Sequence, residues 1–152
     1  MKYFLYVTTL TFKLKDGDVK FYYAGKHKGV EFGSYIGSGV EITAIRRARK
    51  SNKAIRELVD IETKVVCECE ESNHLNNEKI LIDNLCKLKG AFCLNRKDRQ
   101  FHHGFPHRNI SKLAEECVNR NASKKMLLSV LNKRLDRIRS VRSRLEALLN
   151  AA

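Results

Sequence analysis

Apolar and polar residues alternate along residues 3–14, where threonine, valine and aromatic side chains predominate. A period of two sends successive side chains to opposite faces, so this stretch predicts a half-buried β-strand. Lys15-Asp16-Gly17-Asp18 follows. Asp-Gly favours a two-residue hairpin turn, because both central positions take positive φ. Residues 19–24, Val-Lys-Phe-Tyr-Tyr-Ala, predict the return strand. With Asp16-Gly17 as the turn, Phe12 faces Phe21, Leu10 faces Tyr23 and Thr8 faces Gly25. Tyr6 repeats the face of Leu10, so Tyr6 and Tyr23 project from one side of the hairpin.

Residues 26–39 are glycine-rich and read as a loop. A basic helix is expected over 40–58, with Ile42, Ile45, Ala48, Ala54 and Ile55 as its apolar stripe. Arg46, Arg47, Arg49, Lys50, Lys53 and Arg56 lie on its other faces. Residues 61–70 predict a third strand with Thr63, Val65, Cys67 and Cys69 on one face. A helix starts at Ser72 or Asn73 and runs to Leu88, with Leu75, Ile82 and Leu85 buried at helical spacing. Gly90 ends it, and residues 91–95 form a short extended piece. Beyond residue 105, a short helix is expected over Ile110–Asn119, and Ser123 caps a long one to residue 149. Leu128, Leu131, Leu135, Ile138, Val141, Leu145 and Leu148 mark its apolar face. The spacing suits either a coiled coil or a helix packed on its own domain.

Composition narrows the partners. The 152 residues carry a net charge of +13, which favours polyanionic partners, chiefly nucleic acid or an anionic membrane surface. Residues 106–152 alone hold 11 Lys or Arg against 4 Asp or Glu, so this segment is expected to extend a DNA footprint. No apolar run approaches the roughly 18–20 residues needed to span a bilayer, so no membrane partner is expected. Met1–Leu10 reads as a strand rather than a signal peptide. The five cysteines (Cys67, Cys69, Cys86, Cys93 and Cys117) fit no zinc-finger spacing and read as reduced thiols in a cytoplasmic protein. His102, His103 and His107 read as loop histidines rather than metal ligands.

Glu78 does not fit a bland helix. It lies three residues after Leu75 and four before Ile82, inside the buried stripe. A lone carboxylate there costs several kcal/mol unless a cation, a metal or strong donors meet it. An ion pair to Lys or Arg is the structural explanation. The chemical one is phosphodiester hydrolysis, which needs a metal, a base and cationic groups around developing negative charge. Glu78 can hold Mg²⁺, Tyr23 or His27 can manage the proton, and Lys26 or an arginine of the first helix can bind phosphate.

The order of these features resembles a family. Phe4-Leu5-Tyr6 on the first strand, Tyr23-Ala24-Gly25 ending the second, a basic helix, Glu78 in Asn-Glu-Lys-Ile-Leu-Ile and a closing Leu94-Asn95 are similar to the GIY-YIG nuclease domain. Gly25-Lys26-His27 followed by Tyr35-Ile36-Gly37-Ser38-Gly39 resembles the free-standing, phage-encoded homing-type endonucleases of that superfamily. A weaker echo lies in His102-His103-Gly104-Phe105-Pro106-His107.

The resemblance implies an α/β fold of α+β type. A three-stranded antiparallel sheet would be flanked by helices, with a nuclease domain over 1–100 and a basic helical extension over 101–152. It implies hydrolysis of duplex DNA with one divalent metal, Mg²⁺ or Mn²⁺. The catalytic set would be Tyr6, Tyr23, Glu78 as metal ligand and Asn95, with Tyr23 the favoured general base. The family's arginine has two registers here. One falls in the loop, where Lys26 and His27 substitute; the other falls near Arg46. Backbone contacts to DNA would come from Lys26, Arg47 and Lys50, with Lys124, Lys125 and Arg134 from the extension. The rival expectation is a catalytically decayed nucleic-acid-binding protein, and the long helix offers a route to a homodimer.

Overall fold

The computed structural model describes residues 1–35, 37, 39–88, 92–95 and 109–151. The alternating N-terminal residues form two long strands, β1 (Lys2–Leu14) and β2 (Gly17–Gly29). Their register differs from the expected one. Leu10 pairs with Phe21, Thr8 with Tyr23 and Tyr6 with Gly25, because the turn is Lys15-Asp16 and Gly17 opens β2. Gly17 takes φ +133°, which a side chain would oppose. The change moves each partner by two residues, so every side chain keeps its face. β2 also runs on through Lys26–Gly29, which pair with Lys2–Leu5; these four residues are strand rather than loop.

The expected single helix over 40–58 is two, α1 (Val40–Ser51) and α2 (Lys53–Leu58). Asn52 is the break. It adopts extended backbone at φ −129°, and its side chain accepts from the amides of Ala54 and Ile55. β3 (Val59–Cys69) then pairs antiparallel with β1. Tyr6 faces Val65 but Leu5 faces Cys67, so Val66 is an extra residue and forms a bulge. Thr63 and Val65 therefore stay on the Tyr6 face, while Cys67 and Cys69 turn to the Leu5 face. The expectation of four residues on one face fails at this bulge.

α3 (His74–Lys87) buries His74, Glu78, Ile82 and Leu85. Leu75, expected in the stripe, is 60% exposed. His74 takes its place one position earlier, which keeps Glu78 one turn along the same face. β4 (Phe92–Cys93) pairs parallel with β2 at Phe21 and Tyr22. Among the described residues the sheet thus has four strands in the order β3-β1-β2-β4 and is mixed, not three-stranded antiparallel. Two residues were too short a run to read as a strand; β2 recruits them through its free edge. The expected end at Gly90, the residue Ala91 and the three loop histidines lie outside the described residues.

Helices cover both faces of this α+β sheet. Leu10, Phe12, Val19 and Phe21 pack on one face with Ile42 and Ile45 of α1 and Ile55 of α2. The same cluster holds Ile110, Leu113, Ala114 and Cys117 of α4 (Ile110–Asn119) and Leu127 and Leu131 of α5 (Lys124–Ala151). Burying each large apolar side chain contributes about 1.5–3 kcal/mol. On the other face, Ile82 and Leu85 of α3 cover Ala24 and Cys93, with Val7 and Tyr22 beside them.

Two polar contacts fix the C-terminal helices. The buried Glu41 carboxylate accepts the Ile110 amide at 2.8 Å, a negative charge at the start of α4. Asp16, at the hairpin turn, accepts the amides of Lys124 and Lys125 at the start of α5. Ser123 accepts from Met126 in the same turn, as a helix cap should. No helix of the described residues is long and apolar enough to cross a membrane.

Candidate active site

The open end of the β1–β2 hairpin gathers most of the chemically useful side chains, on two sides of β2. Strand alternation sends Tyr6, Tyr23 and His27 to one face. Their rings cluster there: Tyr6 and Tyr23 lie 6.4 Å apart, and His27 stacks on Tyr35 at 4.2 Å. Phe32 closes the cluster, 5.5 Å from Tyr6 and 5.8 Å from His27. Tyr6 is 1% exposed, so it is a floor beneath the site. Tyr23 and His27 are half-buried and reach the surface.

Two glycines make this packing close. A methyl on Gly25 would collide with the Tyr6 hydroxyl, and one on Gly39 would sit 2.7 Å from Tyr23 Cζ. Gly39 immediately precedes α1, so the Tyr23 ring lies against the start of that helix. The glycine of the Tyr-Ala-Gly triplet is therefore required by the tyrosines themselves. Ala24 faces the opposite side, wholly buried against α3.

Lys26 also faces that opposite side, where it meets α3. Its Nζ lies 3.2 Å from Glu78 Oε2. The Glu78 side chain is 9% exposed and that of Lys26 is 29%. The ion pair explains how a carboxylate survives in the buried stripe of α3. Nearby, Tyr3 stacks on His74 at 3.8 Å and 7°, and Lys28 Nζ lies 5.2 Å over the Tyr3 ring. Register thus places Tyr23 and Lys26, with its partner Glu78, on opposite sides of one strand rather than face to face. The carboxylate still acts on the phenol. Burial pushes the Tyr23 hydroxyl above its ordinary value of 10.0, and the charges of Glu78 and Tyr35 raise it further.

Asn95 binds the backbone beside Tyr23. Its Oδ1 accepts the Ala24 amide at 2.8 Å, and its Nδ2 donates to the Ala24 carbonyl at 2.6 Å. Cys93 Sγ also donates to Oδ1, at 3.4 Å. The side-chain amide continues β4 as though it were one more peptide, fixing the backbone between Tyr23 and Gly25.

The remaining candidates are dispersed. Arg46 is half-buried on α1, roughly 10 Å along the axis from Gly39 at 1.5 Å per residue. Arg47 and Lys50 are exposed on the same helix. Arg49, on the basic helix but not among the site candidates, is half-buried with an Nε that has no hydrogen-bond partner among the described residues. Lys124 and Lys125 sit at the hairpin turn, six strand residues or roughly 20 Å from Tyr23. Arg134 is half-buried on α5. The structure therefore joins Tyr6, Tyr23 and His27 in one aromatic cluster, pairs Lys26 with Glu78, and leaves Lys124 and Lys125 at the far, hairpin-turn end of the sheet. Phe32, Glu41 and His74 were missed. An aromatic in a glycine-rich loop was the available signal for Phe32; nothing marked the other two.

Among the described residues, no group of three or more His, Cys, Asp or Glu side chains is arranged to hold a metal ion. A site with one protein carboxylate remains chemically sound for Mg²⁺, which keeps several waters and takes substrate phosphate oxygens as ligands. Glu78 is a hard oxygen donor of that kind, and Lys26, now paired with it, would have to turn from the carboxylate to admit the ion. Neither a family model, nor a curated protein, nor a solved structure matches this chain.

Proposed function

We propose that the chain is a metal-dependent endonuclease that hydrolyses phosphodiester bonds of duplex DNA, of the GIY-YIG type and of the free-standing homing class, acting in the cytoplasm. The observation that supports this most is Glu78: a buried carboxylate, paired to Lys26 and electrostatically coupled to Tyr23, in a chain of net charge +13. Bound Mg²⁺ or Mn²⁺ would polarise the scissile phosphate and acidify a water. Glu78 is the residue to hold it. Lys26 offers its ammonium to a phosphate oxygen, a contact that strengthens as negative charge develops. Tyr23 or His27, on the other face of β2, would manage the proton, which requires the phosphate to reach round the strand edge from Glu78. Asn95 keeps the Tyr23–Gly25 backbone in place. Arg46, Arg47 and Lys50 supply duplex contacts along α1.

Supercoiled plasmid incubated with and without Mg²⁺ tests the reading. Wild type should nick or cut only with metal, and Glu78→Gln and Glu78→Ala should slow cleavage roughly 100-fold or more. The Gln variant keeps the side-chain volume, so its melting temperature reports whether the fold survives. Cleavage by Glu78→Ala at the wild-type rate, in protein free of contaminating nuclease, would sink the proposal. Salt-sensitive DNA binding without turnover in the wild type would instead assign a non-catalytic nucleic-acid-binding protein.

A further inference from the structure

Cys67 and Cys69 stand two residues apart at the end of β3, and their Sγ atoms lie 3.7 Å from each other. The bulge at Val66 turns both to the Leu5 face, where Asn77 Nδ2 of α3 donates to Cys69 Sγ at 3.4 Å. The two thiols differ in access. Cys67 is exposed and Cys69 is buried. Among the five cysteines Cys67 alone is exposed, since Cys86 is half-buried and Cys93 and Cys117 are buried. The pair falls short of the four ligands that a structural zinc takes, and no group of three His, Cys, Asp or Glu surrounds it among the described residues. An exposed thiol beside a sheltered second one is instead the arrangement in which a first sulfur is captured and a second resolves it.

We propose that Cys67 and Cys69 form a reversible thiol–disulfide site, oxidised by small-molecule disulfides of the glutathione class. The Cys67 thiolate attacks one sulfur of the oxidant, forming a mixed disulfide and releasing one thiolate. The Cys69 thiolate then attacks the Cys67 sulfur, closing the Cys67–Cys69 bond and expelling the second thiolate. The protein gives up two electrons and two thiol protons, and the oxidant becomes two thiols. Asn77 assists the second step, because its N–H bond to Cys69 Sγ strengthens when that sulfur is charged. Desolvation, and then the hydrogen bond with Cys69, hold the Cys67 thiol above its ordinary value of 9.0. The smaller thiolate fraction is partly offset by a more nucleophilic thiolate. Two strand residues span roughly 6.4–6.8 Å between Cα atoms, at the upper end of the range of about 4.4–6.8 Å that a disulfide bridges. The end of β3 must draw in, which involves only its last pairs, Phe4 with Glu68 and Tyr3 with Cys69. A cross-link at the limit of its reach is readily reduced, so the bond reopens in a reducing thiol pool. The proposal stands apart from the cleavage reading, since its product is read by mass without nucleic acid or metal.

The test treats the reduced full chain, folded, with glutathione disulfide, then quenches in acid and digests. Cleavage after Lys64 and Lys79 releases residues 65–79, which hold Cys67 and Cys69 and no other cysteine. This peptide should appear two hydrogens lighter, and excess reduced glutathione should restore its mass. Cys69→Ser should stop at the mixed disulfide on Cys67. Cys67→Ser should slow modification of the peptide on the order of tenfold or more, because access governs the first exchange. A wild-type peptide that stays reduced, or that ends as a stable mixed disulfide, overturns the proposal. So does a bond that forms only in urea-unfolded protein, one that reduced glutathione fails to reopen, or modification of Cys67→Ser at the wild-type rate. The wild-type product decides the question even where a variant fails to fold.

Discussion

Asn95 shows how much one side chain can do when it imitates a peptide group. Both Ala24 backbone groups are buried and both are satisfied by this one amide, at 2.8 and 2.6 Å. Asn95→Ala would leave a buried donor and acceptor unpaired, at a cost of about 2–4 kcal/mol in urea denaturation. Asn95→Asp should recover only part of that, because it keeps the acceptor and loses the donor. Equal stability of wild type and Asn95→Ala would mean that water replaces the amide and that Ala24 is not held as described. The neighbouring tyrosines gain from this rigidity. Tyr23 flanks Ala24 directly, and Tyr6 packs over Gly25.

At the scale of elements, the hairpin turn and α5 are one unit. Asp16 holds two amides of the first turn of α5, and the Lys124 amide chiefly lowers its carboxyl below the ordinary value of 3.8. A carboxyl depressed in the folded state stabilises above its unfolded value, and that contribution disappears as pH falls through the folded value. Asp16→Ala should therefore melt earlier than wild type at pH 7, and the two should converge on acidification below 3.8. A difference independent of pH would point to a steric origin instead. Strand periodicity made β1 and β2 legible, and the face shared by Tyr6 and Tyr23 survived a wrong register because register errors of two residues preserve faces. Glu78 was legible because burial of a carboxylate is exceptional. The α1–α2 break was not, since Asn52 terminates one helix and caps the next without glycine or proline. Nor was β4, which exists by virtue of the edge it joins. Lys26 was placed in a loop, so its partnership with Glu78 was invisible until β2 was seen to run to Gly29.

Across the whole molecule, charge is spread over separate surfaces, which bears on how a duplex would be held. Arg46, Arg47 and Lys50 share α1, whereas Lys124 and Lys125 start α5 at the hairpin turn. If α1 carries the contacts, replacing its three cations by alanine should flatten the log–log salt dependence of DNA affinity by roughly 2–3, at about 0.9 per phosphate. Fluorescence anisotropy over a salt series measures this, and an unchanged slope would move the footprint elsewhere. The bulge at Val66 has a further consequence. β3 is the outer strand, eleven residues long, with backbone groups facing solvent. Its kink, with Asp60, Glu62, Lys64 and Glu68 exposed along it, denies a flat template to any strand arriving from another chain. This border resists the strand-by-strand accretion that leads to fibrils.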